Sequence, residues 1–370
     1  MPKTRVLVVD DAVVVRRLVS DALSSAPGIE VAGTAPNGKV ALSKIPQVNP
    51  DLVTLDVEMP VMDGIQTLTE LRKVYPDLPV IMFSTLTERG TAVTMDALLR
   101  GANDYVTKPA NVGGVQESVV AIREQLVPKI HALCGGMPAA AAAGLQRRPA
   151  PRPAPPRPKR RSQVPDHRVE IVIVGISTGG PNALAEVLPA LPRDLGVPVV
   201  IVQHMPPMFT KLLAERLDKT CQLPVVEARQ GTLIVPNRIL TAPGDHHLEL
   251  RQRGNGVVSV LTKDPPENSC RPAADVLFRT AVKAYGGGCL AVVLTGMGYD
   301  GRRGSHHVVE AGGRVIAQDE ATSVVWGMPG AVVQDGLADE VLPLSAVADR
   351  IVKRVRSSHR NNAARSEVRA

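Results

Sequence analysis

At 370 residues with a net charge of +7, the chain is long enough for two domains, each with its own core. Three Phe, four Tyr and one Trp leave those cores to Val, Leu, Ile and Ala, too few aromatic platforms for base-stacking nucleic-acid modules. The positive charge is local: residues 145–168 hold eight Lys and Arg against one acid and residues 350–370 seven against one, so the rest is net acidic and the footprint of a nucleic-acid-binding domain is missing.

Residues 1–126 alternate short β-branched runs with amphipathic stretches such as VVVRRLVSDALSSA, the βαβ rhythm of a parallel sheet. The opening run RVLVVDD is too short for a signal peptide, and no apolar stretch in the chain reaches the ~18 residues of a membrane span, so a cytoplasmic protein is expected. RVLVVDD, DLVTLDV, PVIMFST and DYVTKP read as buried strands that end at Asp10 and Asp11, Asp56, Ser84 and Lys108. In an open parallel sheet the loops at the carboxyl ends of strands converge on one crevice. Three carboxylates, a hydroxyl and an ammonium would then meet. Crowded carboxylates repel unless a cation sits among them, and hard oxygen ligands suit Mg²⁺. A metal, an acceptor carboxylate and a Lys are what phosphoryl transfer onto an Asp requires.

Residues 127–167 read as an Ala/Pro/Arg-rich linker, semi-rigid and without a core of its own. The rhythm restarts over residues 168–356, with VEIVIVGI, VPVVIVQHM, LPVVEA, RILTAP, VVSVLTK, CLAVVLTG and RVIAQ as strands. Residues 357–370 form a basic tail expected to be disordered. The four scattered cysteines, Cys134, Cys221, Cys270 and Cys289, include no CxxC pair and read as thiols in a reducing compartment.

In EIVIVGISTGGP a strand runs into a Gly turn with Ser177 at its corner, and Gly175 to Gly179 fits the G-x-S-x-G elbow. Alone the motif is equally compatible with a helix cap or a phosphate-binding turn. A nucleophilic serine needs a base, and the base an orienting acid. His204 ends the strand VPVVIVQHMP and Asp300 lies just past CLAVVLTG, both at carboxyl ends. Asp319 and Glu320, after RVIAQ, are rival acids. The adjacent pairs His246/His247 and His306/His307 make poor metal sites, no HExxH occurs, and His131, His167 and His359 fall in segments expected to be solvated.

The first half resembles the receiver domain of two-component response regulators in every motif position, DVEMPVMDG above all. That resemblance implies a flavodoxin-like doubly wound fold, Asp56 as the phospho-acceptor and Mg²⁺ held by Asp10, Asp11 and Asp56. It further implies Ser84 as the hydroxyl switch, Tyr105 as the rotating aromatic and Lys108 as the phosphate partner.

The second half, through GISTGGP, QHMPP, APGDHHL, RPAADVLF, LTGMGYDG and IAQDEATSVVWGMP, resembles the catalytic domain of the chemotaxis protein-glutamate methylesterases, in the order Ser177, His204, Asp300. This implies a Rossmann-like doubly wound α/β hydrolase that needs no cofactor. Its expected chemistry is phosphorylation-activated hydrolysis of glutamate methyl esters and deamidation of glutamines. Thr178 and Met297 would line the oxyanion pocket. The implied substrates are methyl-accepting chemotaxis receptors, the implied phosphodonor a chemotaxis histidine kinase, and the protein would be peripheral to membrane receptor arrays, with no nucleic acid involved. His306-His307, Cys270 before Arg271 and the Arg/Pro linker depart from the family pattern, and none is expected to touch the triad. Two other readings stay open: a response regulator whose output is binding, and a phospho-controlled hydrolase of small-molecule esters.

Overall fold

A computed structural model describes residues 3–85, 87–108, 114–135 and 167–367, with side chains to residue 359. The expected linker lies outside the described residues between positions 136 and 166. The chain divides into two compact units, Met1–Arg152 and Pro153–Ala370.

In the first unit β1 (Thr4–Val9), α1 (Val13–Ser24), β2 (Ile29–Ala35), α2 (Gly38–Val48), β3 (Leu52–Asp56), α3 (Gly64–Val74), β4 (Val80–Ser84), α4 (Glu88–Leu99), β5 (Asp104–Thr107) and α5 (Val115–Leu133) alternate without exception. The strands pair in parallel in the order β2-β1-β3-β4-β5, the flavodoxin-like winding. Strands β3 and β4 are buried along their whole length, as continuous apolar runs between two helix layers must be. Helix α3 starts where Asp63 and Gln66 cap each other's backbone amides.

Helix α5 runs beyond the expected boundary at residue 126. Ile122, Leu126 and Ile130 fall on one face at helical spacing and pack into the core with Val19 and Leu23 of α1. Residues 127–133 therefore belong to this body, and His131 is half-buried on that helix.

The second unit comprises β6 (Ile171–Ile176), α6 (Gly180–Val187), β7 (Val199–Gln203), α7 (Pro207–Thr220), β8 (Val225–Glu227), β9 (Ile239–Thr241), β10 (His247–Arg253), β11 (Gly256–Thr262), α8 (Ala274–Tyr285), β12 (Cys289–Val293), α9 (Arg302–Glu310), β13 (Arg314–Gln318), α10 (Met328–Gln334), β14 (Glu340–Leu342) and α11 (Leu344–Glu367). Seven strands form one parallel sheet in the order β14-β13-β12-β6-β7-β9-β8. The chain starts in the middle at β6, builds outward through β7, then crosses to β12 on the other side. The crevice where the winding reverses opens at the carboxyl ends of β6, β7 and β12. Behind it, Phe278 and Leu277 of α8 pack on Ile173, Val200 and Ala291, all fully buried.

Two expectations change here. VVSVLTK is not a parallel strand: β11 pairs antiparallel with β10 in a separate hairpin, closed by the two-residue turn Gly254-Asn255. The tail is helical as far as Glu367, where disorder was expected, since α11 continues to that residue; residues 368–370 lie outside the described residues. Its Ser358 hydroxyl accepts from Val169 N (3.0 Å) and His359 Nε2 lies 3.0 Å from Val169 O, so His359 is tied to the chain entering β6.

Candidate functional site

In the first unit, β1, β3 and β5 deliver Asp10, Asp56 and Lys108 to one point because each stands at the carboxyl end of a strand, Asp56 as its last residue and the other two just past it. Lys108 Nζ lies 2.9 Å from Asp10 Oδ2 and 2.8 Å from Asp56 Oδ1. One carboxylate oxygen from each of Asp10, Asp11 and Asp56 falls within 4.8 Å of the others. Burial, with the charge of Asp10 second, pushes the Asp56 carboxyl up to about 6 against the pull of Lys108. A cavity of about 300 Å³ opens over Asp56, lined by Asp11, Glu58, Thr85, Gly90 and Lys108.

Ser84 ends β4 as read, but its hydroxyl does not face this cavity. It is fully buried, 2.6 Å from the Thr94 hydroxyl of α4, and donates to Thr85 O at 3.1 Å. Tyr105 is also turned inward, with Lys129 Nζ 5.3 Å from its ring centre.

In the second unit Ser177 and His204 are the first residues past the paired ends Ile176 and Gln203 of β6 and β7. The Gln203 side chain ties them together, donating from Nε2 to Ser177 O at 2.9 Å. The elbow turns through Gly179 at φ +79°, left-handed backbone at which a Cβ would also strike Val324. Ser177 N donates to Thr295 O (3.0 Å), and Gly296 packs so closely that a Cβ there would lie 2.7 Å from Ser177 Cβ. The loop after β12, with Met297 half-buried in it, therefore abuts the serine.

Asp300 is buried and accepts four hydrogen bonds. Its Oδ2 lies 2.8 Å from His204 Nε2 and accepts from Ala274 N at 2.6 Å, while Oδ1 accepts from Asp275 N (3.1 Å) and Asn268 Nδ2 (2.8 Å). Burial works against its charge, but His204 and the two α8 amides outweigh it and hold the carboxyl below its ordinary range. For His204, burial disfavours the imidazolium, yet bonds to Asp300 and Cys270 prevail and raise its pKa. Of the rival acids, Asp319 is engaged elsewhere: its Oδ1 accepts from the N (3.0 Å) and Oγ1 (2.6 Å) of Thr322.

Nδ1 is the ring nitrogen that Asp300 leaves open. Among the described residues no hydrogen bond joins it to the Ser177 hydroxyl. Cys270 Sγ lies there instead, at 3.5 Å. This corrects the expectation that none of the departing residues touches the triad. His306 and His307 do stay apart, lying on α9 near Asp335 (3.5 Å) and Glu310 (3.8 Å).

Asn268 and Cys270 belong to one tight turn, closed by paired bonds between Glu267 and Cys270 (3.1 and 2.9 Å), with Asn268 and Ser269 both left-handed. Sequence reasoning passed over Asn268. The available signal was the run Asn-Ser just before Cys-Arg-Pro, a turn dipeptide leading into a helix start.

Residues 6–119 match the model of the response regulator receiver domain, and residues 172–351 that of the CheB methylesterase. The protein-glutamate methylesterase/protein-glutamine glutaminase of Trichodesmium erythraeum is 50% identical over 355 residues, 96% of this chain and 100% of the relative. A relative of the same name from a Nocardioides species is 51% identical over 364 residues, 96% of each chain. The crystal structure of the Thermotoga maritima CheB methylesterase catalytic domain is 44% identical, covers 50% of this chain and 98% of its own, and gives a TM-score of 0.49.

Proposed function

The chain belongs to the protein-glutamate methylesterase/protein-glutamine glutaminase family, with a receiver domain ahead of the hydrolase, and on that premise we propose that Ser177, His204 and Asp300 are its catalytic triad. The observation that carries this is the 2.8 Å bond from His204 Nε2 to buried Asp300 at the sheet's switch point, beside the Ser177 elbow. With Nε2–H given to Asp300, Nδ1 is the basic nitrogen.

Ser177 Oγ attacks the γ-carbonyl of a methylated glutamate while Nδ1 takes its proton. The tetrahedral oxyanion is met by backbone amides of the elbow and of the Met297 loop, with Thr178 and Met297 lining the pocket, each such donor contributing on the order of 10²–10³ in rate. The proton passes from Nδ1 to the leaving methoxide, methanol departs, and water then repeats the sequence to free Ser177 and the carboxylate. With a glutamine the same steps expel ammonia. Formation of the serine-to-imidazole bond requires Nδ1 to be given up by Cys270, and bonds of this kind often tighten only with substrate bound.

In the receiver, Asp56 is the proposed phospho-acceptor. Three carboxylate oxygens within 4.8 Å of one another fit a hard divalent cation, so Asp10, Asp11 and Asp56 would hold Mg²⁺, which supplies charge neutralisation for phosphoryl oxygens. In this reading Lys108 would pair with a phosphoryl oxygen, and Ser84 and Tyr105 would change position afterwards. The proposed substrates are methyl-accepting chemotaxis receptors and the proposed phosphodonor a chemotaxis histidine kinase. The test is methanol release from methylated receptor membranes: Ser177→Ala should abolish it while leaving phosphorylation of Asp56 intact. Retained release would remove the triad.

A further inference from the structure

Two buried carboxylates stand side by side behind His204. Asp300 and Asp275 are 2% and 1% exposed, and one side-chain amide bridges them: Asn268 Nδ2 donates to Asp300 Oδ1 at 2.8 Å and to Asp275 Oδ2 at 2.9 Å. The opposite amide orientation would aim Oδ1 at both anions, so the donor assignment follows from charge. The amide reaches them because Asn268 sits at φ 53°, a left-handed conformation that Asn tolerates better than most residues. We propose that Asn268 is a positioning residue of the hydrolytic centre, whose amide keeps the Asp300–Asp275 pair doubly ionised so that Asp300 stays available to His204. The proposal rests on the triad reading above.

The other groups facing the pair do not substitute for it. On α8, Asp275 also accepts from Gly304 N of α9 at 2.6 Å. Glu267 adds a further negative charge, answered by Arg279 at 2.7 Å. Just past β7, His204 bonds Asp300, and Cys270 bonds the far side of that ring. Burial and the neighbouring charge of Asp300 already push the Asp275 carboxyl upward. Without the bridging amide the two buried carboxylates lose their shared donor, ionising both costs more, and one takes a proton more readily or the imidazole holds its own more tightly. Either way the cluster keeps a proton to higher pH.

The experiment is the pH profile of kcat/KM for full-length protein on methylated receptor membranes. Asn268→Ala should lower kcat by on the order of 10- to 100-fold, leave KM nearly unchanged, and move the acid limb up by about one pH unit. Adding Asp275→Asn removes one of the crowded charges, so the double variant's acid limb should return toward that of the native protein. A merely structural role for Asn268 would give additive losses with no return, and an unmoved acid limb in Asn268→Ala would overturn the proposal. Should Asn268→Ala fail to fold by circular dichroism, Asn268→Ser keeps one short donor and should show a smaller shift in the same direction, absence of which counts equally against it. Ser177→Ala runs alongside: activity there would sink the triad reading, whereas an inactive Ser177→Ala with an unmoved Asn268 profile would sink this inference alone.

Discussion

The sulfur of Cys270 lies 3.5 Å from Nδ1 of His204, at the ring nitrogen that the 2.8 Å bond to Asp300 leaves open. A thiol at that point competes with Ser177 for the proposed base, and it also makes the centre chemically addressable. Burial pushes Cys134, Cys221 and Cys289 up to about 11, 11 and 12, which leaves them almost wholly protonated at neutral pH. Cys270 is half-buried and touches an imidazole. Methyl methanethiosulfonate should therefore convert Cys270 to a mixed disulfide, expelling methanesulfinate, and the added methylthio group beside Nδ1 should lower esterase turnover by on the order of tenfold or more. Cys270→Ala should keep turnover within about threefold of the native protein and resist the reagent, since deleting a competing hydrogen bond at an apo site costs little. Equal sensitivity in Cys270→Ala would place the reactive thiol elsewhere.

The His204–Asp300 pair sets two pH dependences. Asp300 raises the imidazole pKa above its ordinary 6.5, so the acid limb of kcat/KM should lie above 6.5 and fall back toward it in Asp300→Asn. That variant should also lose roughly 10³- to 10⁴-fold in kcat, because an amide that donates to Nε2 selects the wrong tautomer. Stability follows with opposite signs for the two partners. The raised His204 contributes stability fully present below 6.5 and lost as pH rises through its folded value. The depressed Asp300 contributes stability present above 3.8 and lost as pH falls through its folded value. The difference in Tm between native protein and Asp300→Asn should therefore be largest between those two ordinary values and shrink on either side. A flat difference across pH would mean that the pair is not ionised in the fold.

What could be read from the chain depends on where each residue stands relative to a strand. Ser177, His204 and Asp300 each follow a run of buried β-branched residues, and parallel strands bring their carboxyl ends together whatever lies between. Asp10, Asp56 and Lys108 were legible for the same reason. The turn that holds Asn268 and Cys270 follows no strand of the parallel sheet, and its partners lie 32 and 66 residues away along the chain. Local spacing carries no trace of that. The inward turn of Ser84 is a rotamer, set by Thr94 one helix later. Lys and Arg dominate the composition of the tail and hide that it continues a helix in which Val347, Ile351 and Val355, just ahead of the tail and all buried, recur every four residues. The hairpin β10–β11 was within reach, since Gly-Asn-Gly between two alternating runs is a turn signal.

In the receiver, Lys108 bridges Asp10 and Asp56 within 3 Å of both. If Asp56 is the acceptor, Asp56→Asn should hold the full-length protein at its unphosphorylated esterase level in the presence of acetyl phosphate and Mg²⁺. Lys108→Ala leaves two buried carboxylates, with oxygens within 4.8 Å of each other, without their cation, an unpaired arrangement that costs about 3–5 kcal/mol in comparable buried pairs. Its receiver should therefore melt well below the native one in metal-free buffer, and added Mg²⁺ should restore much of the loss, measured by calorimetry. A Lys108→Ala protein whose melting ignores Mg²⁺ would argue against the cation site.

Ser84 must leave its present partners before its hydroxyl can reach a phosphoryl group on Asp56. It is 2.6 Å from the Thr94 hydroxyl and donates to the carbonyl of Thr85. A neutral hydrogen bond of this kind contributes about 1 kcal/mol net, which corresponds to roughly a fivefold bias toward the inward arrangement. Thr94→Val keeps the shape of the buried side chain and removes the hydroxyl. The outward arrangement should then be favoured by about that factor, and half-maximal activation should need roughly fivefold less acetyl phosphate. The gain depends on the serine, so Ser84→Ala combined with Thr94→Val should abolish it, while maximal turnover with the catalytic domain untouched stays the same. An unchanged or higher threshold in Thr94→Val would show that the Ser84–Thr94 contact does not hold the receiver in its unphosphorylated arrangement.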